Sequence, residues 1–157
     1  MLVIADSSSL IALATCQVLG VLESLYDDIK VPQAVYDEVA ISQKPQTYEL
    51  ADFLTGRVVA IDSTRWVLAA GGLGQGEIEA MALYKETAAD LLLMDDRKAR
   101  AIAEYNHIKC IGALGVLLQA KRRGLVEQIT PYIVTLRHSS LHYGEALLQK
   151  VLKLAGE

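Results

Sequence analysis

The chain has 157 residues, of which 52% are hydrophobic and 22% charged, and its net charge is −4. This length fits a single domain over residues 1–157, and the apolar content excludes a disordered chain. The negative balance excludes a generally polycationic nucleic-acid binder, so any such contact requires a local basic patch.

Leu2–Ala5 reads as a short buried strand, followed by a helix through Leu19 that Ser7, Ser8 or Ser9 caps. A second helical piece spans Val21–Tyr26, and Ile29–Val31 is a brief strand. Pro32 then takes the first position of a helix over Gln33–Ala40. After the polar break Ser42–Pro45 come a helix over Gln46–Leu54 and a strand over Val58–Ile61. The glycine-rich stretch Gly71–Gly76 leads into a helix over Glu77–Ala88. Leu91–Met94 is strand, Arg97–Tyr105 helix and Ile108–Ile111 strand. Gly112 opens a helix through Arg123 that stops at Gly124, and two further helices cover Val126–Leu136 and Tyr143–Leu154. Strands alternating with helices predict an α/β fold whose central parallel sheet is covered on both faces.

No basic residue precedes the first apolar run, so no signal peptide is expected. The run Leu10–Leu22 contains Thr15, Gln17 and Gly20 and is too short for a bilayer, so no membrane association is expected. Cys16 and Cys110 sit far apart in apolar runs, as reduced thiols of a cytoplasmic protein would.

Parallel sheets build their sites beyond the carboxyl ends of the strands. Asp6 and the pair Asp95-Asp96 stand there, each directly after an apolar strand, while Glu38 and Glu77 lie on helices that can lean over the same edge. Gathered carboxylates repel one another unless a cation sits among them, and an all-oxygen set suits Mg²⁺ or Mn²⁺. Each acid alone has a plainer reading, as a helix cap or a solvated side chain.

The joint pattern resembles the PIN-domain ribonucleases. Asp6-Ser7-Ser8-Ser9-Leu10-Ile11 is similar to their opening motif, and Val31-Pro32 through Glu38-Val39 to their second. Gly74-Gln75-Gly76-Glu77-Ile78-Glu79-Ala80 resembles the third and Leu92-Leu93-Met94-Asp95-Asp96-Arg97-Lys98-Ala99-Arg100 the fourth. Ile111–Leu118 with Ala120–Gly124 points to a small prokaryotic subgroup. The resemblance implies a three-layer α/β/α fold and an endoribonuclease that uses Mg²⁺ or Mn²⁺ held by Asp6, Glu38, Glu77 and Asp95. Ser8, Glu79 and Asp96 would support them, with Asp96 an alternative ligand to Asp95. It also implies an RNA substrate, a small antitoxin protein as partner in a toxin–antitoxin pair, and a homodimer.

Other features carry less. Arg97, Lys98, Lys121, Arg122 and Arg123 are candidate RNA contacts, although the last three also suit a cationic helix end. His138 and His142 have zinc-helix spacing, but Ser139-Ser140 between them argues for a loop. The glycine-rich stretch lacks the GxGxxG order, and no GxSxG accompanies the serines. A receiver domain would place a Lys after its last strand, where Ile111-Gly112 offers none. The alternative to an enzyme is a binding module whose acidic pocket is vestigial or occupied by a partner's basic side chain.

Overall fold

A computed structural model describes residues 1–66 and 71–157. Its sheet contains β1 (Leu2–Ala5), β2 (Asp28–Pro32), β3 (Val58–Val59), β4 (Leu91–Leu93) and β5 (Cys110–Ile111). All pairings are parallel, in the order β3-β2-β1-β4-β5. The chain therefore starts in the middle of the sheet, builds outward through β2 and β3, then crosses back to place β4 on the other side of β1. That reversal makes the carboxyl ends of β1 and β4 the switch point, where the diverging connections leave a crevice.

The described helices are α1 (Ser7–Thr15), α2 (Val21–Leu25), α3 (Gln33–Ile41), α4 (Thr47–Phe53), α5 (Gln75–Thr87), α6 (Arg97–Tyr105), α7 (Ala113–Arg122), α8 (Thr130–Arg137) and α9 (Glu145–Ala155), with a 3₁₀ turn at Ser63–Arg65. Alternation along the strands divides the core in two. Val3, Ala5 and Leu93 pack with α1, α2, α7, α8 and α9, whereas Ile4, Leu92 and Met94 pack with α5 and α6. The result is the expected three-layer α/β/α arrangement. No helix among the described residues is long and apolar enough to cross a membrane. Cys16 is buried and Cys110 half-buried, and neither is in a disulfide.

Several expected boundaries move for local reasons. The first helix ends at Thr15 rather than Leu19 because Gln17 adopts a left-handed backbone with φ 55°. Pro32 closes β2 in an extended conformation, φ −73° and ψ 161°, and stands at the N-cap instead of inside the helix. The edge strands β3 and β5 shrink to two residues each, because an edge is stabilised on one side only. The fifth helix starts at Gln75 rather than Glu77, with Gly74 as its N-cap.

The largest difference is α8, which begins at Thr130 rather than Val126. Pro131 suits a first turn, and Glu157 from the far end of the chain satisfies the free N–H groups there. Its carboxylate accepts from the N–H groups of Ile129 (2.9 Å) and Thr130 (3.0 Å), from the Thr130 hydroxyl (2.6 Å) and from Lys121 Nζ (2.7 Å). Glu157 thus ties α9 to α7 and α8. Burial alone would raise its pKa, but these donors, Ile129 N–H foremost, pull it from its ordinary 4.5 down to about 2. A depressed carboxylate contributes stability that is complete above its unfolded pKa and lost as pH falls through the folded one. Thermal melts should therefore show the wild type losing stability between pH 4.5 and about 2, and Glu157→Gln should flatten that window. Identical acid profiles would remove the tie.

Candidate active site

Asp6 occupies the N-cap position of α1 with an extended backbone, φ −94° and ψ 159°, yet its side chain caps nothing. An N-cap aspartate ordinarily turns its carboxylate to the second or third N–H of its helix. Here Oδ2 accepts from the Ser8 hydroxyl at 2.9 Å, while Oδ1 is buried with no hydrogen-bond partner. The residue is 2% exposed. Burial pushes its pKa up to about 6, opposed by the Ser8 hydroxyl and assisted by the nearby charges of Glu77 and Glu38. An orphaned, buried carboxylate oxygen is costly unless a proton or a cation completes it.

Glu38 and Glu77 approach Asp6 from α3 and α5. Glu38 accepts from the Ser7 hydroxyl at 2.7 Å and from Gly76 N–H at 3.2 Å. A Cβ on residue 76 would fall 2.4 Å from Glu38 Oε1, so glycine there lets the carboxylate reach the α5 backbone. Glu77 turns back to Gly74 N–H at 2.9 Å, half of a capping box. Glu79 does the converse of Glu38: its Oε2 accepts from Ala34 N–H of α3 at 3.0 Å and its Oε1 from Gln75 at 3.1 Å. Helices α3 and α5 so exchange caps, which places Glu79 in their joint with both oxygens engaged.

Asp95 and Asp96 leave β4 in different directions, as successive residues of extended chain must. Asp96 is the N-cap of α6 and accepts from Ala99 N–H at 2.8 Å. Asp95 turns toward the start of α7 and the loop before α9, accepting from Ala113 N–H at 3.0 Å and from the Tyr143 hydroxyl at 2.9 Å. Burial raises its pKa; Tyr143, Ala113 N–H and the Arg100 charge oppose that rise. The Ser9 hydroxyl lies nearby but makes no hydrogen bond. The Tyr143 phenol is pushed up in turn by burial and by the Asp95 charge. Replacing Asp96 with Ala should cost about 1 kcal/mol, the usual worth of a cap. Chemical denaturation checks this; unchanged stability would remove Asp96 as the cap of α6.

The acids thus share one edge without closing on one point. Among the described residues, no three carboxylate, imidazole or thiol groups come within reach of a single cation. Asp6, Glu38 and Glu77 gather on one side of the crevice, and Asp95 stands on the other. Each acid except Asp6 is drawn to a backbone N–H at or beside a helix start, where the dipole and free donors favour a carboxylate. Ser8 bridges the two sides, bonding Asp6 while bordering the cleft that Asp95 opens into.

The basic candidates separate. Arg97 lines that cleft, and Lys98 faces Gly72. Lys121, Arg122 and Arg123 end α7, whose start lies at Asp95; ten residues of helix carry them about 15 Å along its axis. Arg123 acts on Tyr26 and Asp27, just before β2, which sets this cluster at the opposite edge of the sheet from the acids. Lys121 is already paired with Glu157. His138 caps the end of α8 and His142 lies in the following loop, so their spacing falls on no common helix face.

Two residues that sequence reasoning passed over belong to the site. Tyr143 fixes Asp95 from a loop nearly fifty positions away, with no motif to announce it. Arg100 borders Gly112 beside Asp95: a Cβ on residue 112 would meet Asp95 Oδ1 at 2.4 Å and Arg100 Nη1 at 3.1 Å. Its position one turn after Asp96 was the available signal.

No curated protein matches the chain. The sequence profile of one family, DUF3368, described as a PIN domain, matches residues 2–157. With a parallel sheet whose switch point carries acids at the ends of β1 and β4, and a family match over almost its whole length, the chain belongs to the PIN-domain family.

Proposed function

We propose that the protein is a divalent-metal-dependent endoribonuclease whose acid set is Asp6, Glu38, Glu77 and Asp95. The observation that carries this reading is Asp6 Oδ1, a buried carboxylate oxygen at the switch point that accepts no hydrogen bond. An all-oxygen donor set around such an atom fits Mg²⁺ or Mn²⁺. When bound, the cation would polarise the scissile phosphate and activate a water.

The chain's own residues prepare that site. Ser8 holds Oδ2 of Asp6 and leaves Oδ1 buried without a hydrogen-bond partner. Tyr143 and Ala113 N–H fix both oxygens of Asp95, and Arg100 favours its charged form. Glu38 and Glu77 rest on single backbone N–H groups of α5, bonds that a cation can replace without disturbing the helix. Burial around Asp6 excludes water, which strengthens every charge interaction there.

The test is incubation of purified protein with a circular RNA, with Mg²⁺ or Mn²⁺ and with a chelator. Metal-dependent linearisation is expected; an intact circle under all conditions would favour the binding-module reading. Toxicity is the finer part of the proposal: expression of the wild type should arrest growth, relieved by a small antitoxin protein. A homodimer, judged by sedimentation at micromolar concentration, belongs to the same finer reading.

A further inference from the structure

Asp95 opens into a cleft of about 800 Å³ between the α6, β5 and α7 side and the segment running from Leu141 into α9. That volume lies within the roughly 300–1,000 Å³ of small-ligand sites. One end is the acid site, where Ser8 and Asp95 form the rim. The walls are apolar: Leu114 and Leu118 from α7 face Leu147 and Leu154 from α9. Leu147 is 47% exposed and Leu154 55%, so the α9 wall is uncovered within the chain.

Arg100 and Lys150 stand across this cleft and, among the described residues, form no salt bridge. Elsewhere Lys121 is paired with Glu157 and Arg137 with Glu145. Of the two acids on the rim, Asp96 is turned away into the α6 cap and Asp95 is held by Tyr143 and Ala113. Arg97 also lines the cleft outside any of these salt bridges and Arg100 lies beside Asp95, so the cleft offers three cations and two aliphatic walls in direct continuity with the acids.

We infer that this cleft is a nucleotide subsite: it takes the unpaired base beside the cleaved phosphodiester between the α7 and α9 leucines, with adjoining phosphates on Arg100 and Lys150. The inference rests on the ribonuclease reading for its substrate class. A phosphodiester brought to Asp95 leads its next nucleotide into this space. A base offers flat apolar faces to the leucine walls, and the phosphates match the cations. The subsite also replaces the Lys121–Arg123 cluster, which lies at the far edge of the sheet, as the chain's principal RNA contact.

The experiment measures binding of a short labelled oligoribonucleotide, and of the same strand with abasic positions, to the full chain in a chelator, where no cleavage occurs. The intact strand should bind several-fold tighter than the abasic one, because the leucine walls then bury the apolar faces of the base. Arg100→Gln and Lys150→Gln should each flatten the salt slope by about 0.7, one phosphate contact on a single strand. Leu147→Glu should abolish the preference for the intact strand, and Leu154→Glu serves if that variant melts early. Arg122→Ala with Arg123→Ala should change nothing. Equal binding of intact and abasic strands, no binding at all, or wild-type behaviour in Leu147→Glu would each overturn the subsite; the last would point to a protein partner for the leucines. Failure here with RNA still cut in Mn²⁺ would leave the nuclease reading standing, whereas base-dependent binding without cleavage would do the reverse.

Discussion

Asp6→Asn is expected to abolish RNA cleavage and, in metal-free protein at pH 7, to raise stability. The two effects share one cause. Burial pushes the Asp6 pKa from its ordinary 3.8 up to about 6, so the folded chain prefers the protonated acid. Where the folded state binds more protons than the unfolded, stability falls as pH rises. In a chelator the wild type should lose stability between pH 3.8 and about 6 and stay at the lower level above that. The full penalty is on the order of 3 kcal/mol, from about 1.4 kcal/mol per tenfold change in proton affinity. Asn carries no charge but leaves amide hydrogens to satisfy, which brings the expected gain to about 1–2 kcal/mol. Denaturation at pH 5 and pH 7 should give a smaller fall for the variant than for the wild type, since Asp95, also raised by burial, keeps its own share. A variant that still cuts RNA, or that is weaker at both pH values, would remove Asp6 from the centre of the site.

Gly76→Ala should separate activity from stability in the opposite sense to ordinary helix mutations. Alanine is the better helix former by up to about 1 kcal/mol. Its Cβ, however, falls where Glu38 Oε1 now lies, 2.4 Å away, with the rest of that carboxylate at 2.9 Å. A carboxylate at the end of a flexible side chain yields at little energetic cost, so the fold should survive while Glu38 leaves its place. Displacing a group that orients a metal site typically costs about 10–100-fold in affinity or activity. The expected result is an unchanged or slightly raised melting temperature with cleavage reduced by that factor. Unchanged cleavage would show that Glu38 serves only as the cap of α5.

The sequence carried the layers because short apolar runs between helical stretches leave few alternatives to a covered parallel sheet. It also placed Asp6 and Asp95 at strand ends, since that depends only on where Leu2–Ala5 and Leu91–Leu93 stop. Which acids cap and which do not was not legible for most of them. Asp96 was readable as the α6 cap, because it precedes its helix directly. Glu79 and Glu38 cap each other's helices across forty-five and thirty-eight positions, and nothing local to either residue signals a partner so remote. The same holds for α8, whose start depends on a carboxylate twenty-seven residues later. Tyr143 and the leucine-walled cleft arise from how α9 lies against α7, a packing outcome that periodicity leaves open.

Diffraction from crystals soaked in Mn²⁺, collected at a wavelength where manganese scatters anomalously, would locate the cation itself. An anomalous peak is expected against Asp6 Oδ1, with Glu38, Glu77 and Asp95 turned toward it and the Gly74 and Gly76 N–H bonds released. A fully occupied soak with no peak at the ends of β1 and β4, and the carboxylates still on their backbone caps, would contradict it.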